Sequence, residues 1–268
     1  MLEKLWVEKE REEDFTACFG LSMVFGLISI FIARFFVPFQ LSGDLMTGIV
    51  AVVLTSLAAS YPLIKYLEEE VEETEEKERT FKGEFDLLER HGTELEIYVA
   101  FFLGVALAFG LGNSFFPEMF EVQREVIGSV RPDVAAGKVT SPGLFVEVIT
   151  NNLSIFFITF LLSFLLTAGM IFILVWNASI FGVFISEISK GLMDIPYIVI
   201  SYLPHGILEI SAYIIAGLSG FFLSHEVKEI IEWDDKSQAL KLMADSFLLI
   251  GLGIGALVVA GIIESIGV

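Results

Sequence analysis

The sequence predicts an all-α integral membrane protein with about six transmembrane helices plus one or two short re-entrant or broken helices. Three observations predict it. Of 268 residues, 55% are hydrophobic and 26 are Phe, above the roughly 45–50% apolar content of a soluble domain, and the mean hydropathy is +0.75. The excess gathers into uninterrupted runs of about 20 residues, the length that crosses about 30 Å of hydrocarbon as helix. Cys18 stands alone in the sequence, which excludes a secreted domain stapled by internal disulfides.

The formal charge of −19, from 16 Lys+Arg against 35 Asp+Glu, excludes a binder of nucleic acid or of anionic headgroups, which gains from the opposite balance. Much of the negative charge lies between Glu68 and Glu78, EEEVEETEEKE. Residues 1–16 hold three basic and six acidic residues and no small-residue cleavage site follows, so the first apolar segment reads as a retained helix.

Taken in order, the first span runs from Ala17 to Val37 and ends at Pro38; the second runs from Leu45 to Tyr66 and carries Pro62. The short connection Pro38–Asp44 makes them a hairpin. Residues 67–94 then form an acidic linker, rich in helix formers, that continues the second span as a solvated helix. A docking surface for a basic partner is the sharper reading of the same run. The third span covers Leu95 to Phe116 and stops at Pro117. Residues 117–148 are polar, with Pro132, Gly137, Pro142 and Gly143 marking loop as well as helix.

The fourth span is expected from Leu153 to Trp176, with Trp176 at an interface. Asn177–Lys190 and Ile195–Leu203 are apolar but too short to cross, and the second stops at Pro204. Short apolar pieces interrupted by Gly and Pro suggest broken or re-entrant helices. Should Asn177–Lys190 join a full crossing, the count becomes seven. Another helix follows from Pro204 to Leu223, then a polar linker, Ser224–Lys241, and a last span from Ala244 to Ile263. Basic residues concentrate at Lys65, Lys77, Arg79, Lys82 and Arg90, so the positive-inside rule places that loop and the N-terminus in the cytoplasm. The domain organisation expected is therefore a membrane hairpin at 1–66, the linker at 67–94 and a membrane core at 95–268.

The segment that could carry chemistry is Pro204-His205-Gly206-Ile207-Leu208-Glu209. Proline suits a first helical turn, and His205 and Glu209 are then i and i+4 on one face. That face continues through Ala212, Ala216 and Gly220, a small-residue stripe suited to close helix packing. Ionisable groups inside a membrane are costly and mark pairing or function. Three readings compete: a hydrogen-bonded packing pin, a zinc site with His205 and Glu209 as two of the ligands, and a proton or ion relay. No Ser or Cys stands at a diagnostic spacing for nucleophilic catalysis.

Asn151 and Asn152 at the head of the fourth span, and Asn177 at its expected exit, are further candidates for the same intramembrane polar site; helix capping is their plainer role. Asn152-Leu-Ser154 and Asn177-Ala-Ser179 match the glycosylation pattern, but at membrane depth a chance match is the better reading. Gly251-x-Gly253-x-Gly255 has a helix-packing spacing, with Gly251 and Gly255 serving contacts within the chain or between two chains. These stripes suggest a homodimer.

The block from the fourth span onward resembles the stage II sporulation protein M family. The resemblance is carried by Trp176-Asn177-Ala178-Ser179-Ile180-Phe181-Gly182-Val183-Phe184, similar to the family's Asn-x-x-x-x-Gly turn. It continues through Leu203-Pro204-His205-Gly206-Ile207-Leu208-Glu209-Ile210-Ser211-Ala212, then Ala216-Gly217 and Gly220. It covers roughly residues 95–265. The first two spans and the linker look like an addition to a five-span core, as in archaeal-type members. The family's founding bacterial member is a scaffold more than an enzyme, anchoring peptidoglycan-degrading partners at a septal membrane. What the resemblance implies is a multi-pass scaffold or assembly factor in the cell membrane that organises protein partners; it assigns no chemistry to His205 and Glu209. Two rivals follow from the residues: a transporter with a midplane site near His205 and Glu209, and an intramembrane metal-dependent hydrolase.

Overall fold

Runs this apolar form helices in lipid because every backbone N–H and C=O must be satisfied within the segment. The computed structural model describes residues 11–36, 39–80, 87–129, 142–189, 191, 194–232 and 236–266. Among them the chain is almost wholly helical: α1 (Arg11–Phe36), α2 (Phe39–Thr80), α3 (Leu87–Phe115), a 3-10 turn (Pro117–Phe120), α4 (Glu121–Ser129), α5 (Pro142–Leu165), α6 (Thr167–Ile188), α7 (Ile195–Glu232) and α8 (Lys236–Ile266). Among the described residues, seven helices are long and apolar enough to cross a membrane. Their outward surfaces carry large exposed apolar side chains, Phe31, Phe36, Leu57, Leu161 and Val259 among them, as expected where hydrocarbon replaces water.

Three expectations about boundaries change. The apolar run from Val148 to Ile188 contains two spans, Val148–Leu165 and Ala168–Ile188. The break falls at Leu166, whose backbone is extended at φ −140°, ψ 104°, and not at Trp176. Asn177 consequently lies inside α6, and Asn177–Lys190 is the second half of a full crossing up to Ile188. Second, Ile195–Leu203 is no separate piece: α7 runs unbroken through Pro204. Proline removes one backbone bond, a loss tolerated in spans where neighbouring groups re-satisfy the freed carbonyl. Third, α2 is already helical from Phe39, within the expected connection. The same helix continues through the acidic run to Thr80.

The chain divides into two compact units. The first comprises the described residues up to Val122 together with 175–183 of α6. Here α1 and α3 run parallel, and glycines set their separation. A Cβ on Gly104 would overlap the carbonyl oxygen of Phe19 and the hydroxyl of Ser22; one on Gly26 would lie 2.6 Å from the Cβ of Ala108, and one on Gly112 2.8 Å from Ile30. Gly110 faces Gly182 of α6 equally closely, a Cβ there falling 3.0 Å from the Gly182 carbonyl oxygen. Small residues let backbones approach where no hydrophobic driving force distinguishes helix from lipid. The buried Cys18 thiol donates to the Ile97 carbonyl at 3.4 Å. At the end of α1, Arg34 pairs with Glu118 at 3.5 Å.

The second unit comprises the described residues within 123–174 and from 184 onward. Within it α5 and α7 run parallel and α8 antiparallel to both. Phe156, Ala212, Tyr213, Ala216 and Leu257 form its buried centre, with Leu153, Phe160 and Ile254 packed around it. Gly220 lies against the Phe160 carbonyl, and Gly253 against the Phe156 ring. Arg124 and Glu187 pair at 3.6 Å.

Candidate functional site

The second unit brings part of the expected polar site together. Asn152 lies one turn inside the span that begins at Val148, and Glu209 one turn inside the span that begins at His205. Because α5 and α7 are parallel, the two side chains stand at the same depth. The Asn152 side-chain amide donates to Glu209 Oε1 at 2.6 Å. Its carbonyl oxygen accepts the hydroxyl of Tyr213 at 3.1 Å and lies 3.5 Å from the Asn151 amide. A short bond to a carboxylate is the strong kind. The result is a directional chain, Tyr213 to Asn152 to Glu209, linking α5 to α7 twice.

Asn152 and Tyr213 are buried, whereas His205 and Glu209 are half-buried and Asn151 is exposed. Tyr213 is the residue that sequence reasoning missed. It follows Glu209 by four residues as Glu209 follows His205, so the same spacing continued one more turn would have found it; the small-residue stripe drew the face one residue aside, to Ala212. Asn177 belongs to the segment of α6 grouped with the first unit.

The packing residues divide. Ala212, Ala216 and Gly220 are buried, and Gly220 makes the close backbone approach expected of it. At Gly206, Gly251 and Gly255 an added Cβ would meet nothing within 4 Å among the described residues, so these three hold no close helix contact within the second unit. Gly253, the middle glycine, is the one pressed against a neighbour. Pro204 lies well inside α7 rather than in its first turn, since the helix begins at Ile195.

The donor set bears on metal binding. Among the described residues no group of three or more His, Cys, Asp and Glu side chains is placed to hold an ion, and one Glu209 oxygen is taken by an amide. A zinc site built on His205 and Glu209 would have to draw its remaining ligands from outside those residues.

The sequence profile described as Stage II sporulation protein M matches residues 97–267. The chain belongs to the stage II sporulation protein M family. The matched region begins within α3 and takes in both helices that carry the polar cluster. A relative, an uncharacterized protein of Methanocaldococcus jannaschii, is 33% identical over 115 residues, covering 40% of this chain and 64% of the relative. No solved structure matches. Membership and the seven apolar helices together make this a multi-pass membrane protein.

Proposed function

We propose that the protein is a membrane scaffold or assembly factor, a homodimer in the cell membrane with a cytoplasmic N-terminus, that organises partner proteins in or at the bilayer. The observation that supports this most is the closure of the polar cluster. Asn152 spends its amide on Glu209 and its carbonyl on Tyr213, so the groups best suited to hold a ligand are occupied in joining α5 to α7. Polar links of this kind fix helix register in lipid. The acidic run that α2 carries beyond its span would offer partners a basic-docking surface. The exposed glycines of α8 would let a second copy approach closely.

A direct test compares Glu209→Gln and Asn152→Leu in purified protein and in proteoliposomes. The scaffold reading expects Asn152→Leu to lower the melting temperature or the dimer fraction in detergent, with Glu209→Gln, which keeps an acceptor oxygen, close to wild type. Solute or proton flux that vanishes in Glu209→Gln while melting and oligomer size are unchanged would overturn it in favour of a carrier.

A further inference from the structure

We propose that the α5–α6 turn, Leu165 to Thr167, is a hairpin tip seated at the far edge of the lipid acyl chains that never reaches bulk water. The inference is independent of the scaffold reading. Every other connection between spans carries charged residues; from Val148 to Ser186 there is no Asp, Glu, Lys, Arg or His at all. The two arms, Val148–Leu165 and Ala168–Ile188, are 18 and 21 residues long. At 1.5 Å per residue that is about 27 and about 32 Å, against about 30 Å of hydrocarbon. Arms of these lengths bring the tip to about the far edge of the hydrocarbon and leave no chain over for an aqueous loop.

The turn is built to do without water. Its one non-helical residue, Leu166, has both backbone groups engaged: its N–H donates to the Leu162 carbonyl at 2.7 Å, and its carbonyl accepts the Gly169 N–H at 2.6 Å. Two of the polar groups that a helix end ordinarily hands to solvent are thereby satisfied inside the hairpin. Gly169 permits the tight reversal, since a Cβ there would fall 2.8 Å from the Cβ and carbonyl oxygen of Leu162. Between the arms, α7 is drawn in close: Ser163 donates to the Gly217 carbonyl at 2.6 Å, and Gly217 lies against Met170.

The outer surface of the tip identifies its occupant. Leu165 and Leu166 are 63% and 64% exposed. They continue an exposed apolar row down α5 through Phe157, Ile158 and Leu161, spaced as one helix face. A row that faces lipid along the arm and reaches the tip without a polar break presents the same chemistry to the same solvent. Exposing two adjacent leucines to water would be unfavourable, whereas lipid tails match their chemistry.

The test uses full-length protein in liposomes, with Cys18→Ala as background. Single cysteines are placed at the tip (Leu165→Cys, Leu166→Cys) and just beyond α6 (Ser189→Cys), and each is reacted with a membrane-impermeant maleimide from both faces. Expected is labelling of the tip cysteines at least tenfold slower than of Ser189→Cys, recovering to equality in denaturing detergent. A bimane attached at either tip position should be quenched by phospholipids brominated on their acyl chains and not by iodide in the buffer. Tip labelling within twofold of Ser189→Cys overturns the proposal. So does slow labelling without quenching by brominated lipid, which would mean that protein covers the tip. Using both leucines keeps the result readable should one variant fail to fold.

Discussion

The two units hold their helices together by different means. In the first, α1 and α3 meet through glycines, Gly104 against the Phe19 backbone and Gly26 and Gly112 against the side chains of Ala108 and Ile30, with one weak link from the Cys18 thiol to the Ile97 carbonyl. In the second, α5 and α7 also approach through a glycine, Gly220, but side-chain hydrogen bonds run from helix to helix at Asn152, Glu209, Tyr213 and Ser163. Lipid tails are as apolar as leucine, so neither interface draws on water exclusion. Shape fit serves one and polar links add to the other. The two devices fail differently. A glycine contact gives way to any added carbon, whereas a polar link loses only its own bond.

The largest effect is therefore expected in the first unit. Gly104→Leu drives a side chain into the Phe19 carbonyl, which cannot move without displacing α1; overpacking of this kind costs about 3 kcal/mol or somewhat more. The variant should lose most of its monodisperse yield in detergent, or melt far below wild type. Gly251→Leu is the control, because the same change made into open space should leave melting within about 0.5 kcal/mol. If Gly104→Leu behaves like Gly251→Leu, the first unit is not held by close backbone contact. A loss of dimer confined to Gly251→Leu would instead place the second copy on α8.

In the second unit the effects are smaller and graded. Asn152→Leu removes the donor to Glu209 and the acceptor of Tyr213 together. Inter-helix hydrogen bonds in bilayers average about 0.6 kcal/mol and reach about 1.7, and a residue serving two partners belongs near the upper figure. Tyr213→Phe deletes one neutral bond and keeps the ring packed, so about 0.6 kcal/mol is expected. Melting of the two single variants and the double variant in one detergent checks both figures. The double variant should cost no more than Asn152→Leu alone, because the links share one amide. Full additivity would mean that Tyr213 acts through something other than Asn152.

The contrast between the units also explains how much was legible. Spans ended by charge or by a polar linker, such as Leu95–Phe115 and Met243–Ile263, can be read within a residue or two, because desolvating charge dominates every other local preference. The turn at Leu166 could not be read. No Gly, Pro or charge stands at it; the nearest local feature is Gly169, three residues on, whose missing Cβ lets the chain close against Leu162. Pro204 misled in the opposite direction, as a strong local breaker overridden inside a packed span. The pairing of Asn152 with Glu209 lay beyond the sequence for another reason: 57 residues separate them, and only the parallel arrangement of α5 and α7 sets them level. The glycine contacts of the first unit give the faintest signal, since Gly104 looks no different in sequence from Gly251.

The smallest effect sharpens the comparison at the helix ends, where the two units look alike. Arg34 pairs with Glu118 at 3.5 Å in the first, and Arg124 with Glu187 at 3.6 Å in the second. All four side chains are about a third or more exposed, so each pair sits in a polarisable, salt-screened setting and is worth about 0.2–1 kcal/mol. Arg34 has an additional hold, its guanidinium standing 5.8 Å from the centre of the Phe116 ring and 6.0 Å from that of Phe35. At exposed sites such contacts contribute about 0.5–1 kcal/mol. Arg34→Ala should thus destabilise slightly more than Arg124→Ala, and only the ion-pair share of either loss should shrink as salt is raised from 0.05 to about 1 M, where the Debye length falls to about 3 Å. Melting curves at the two salt concentrations separate the shares. Should both variants lose their whole effect at high salt, the rings contribute nothing. The ends of the two units would then be held by the same weak force, leaving the difference between the units entirely to their interiors.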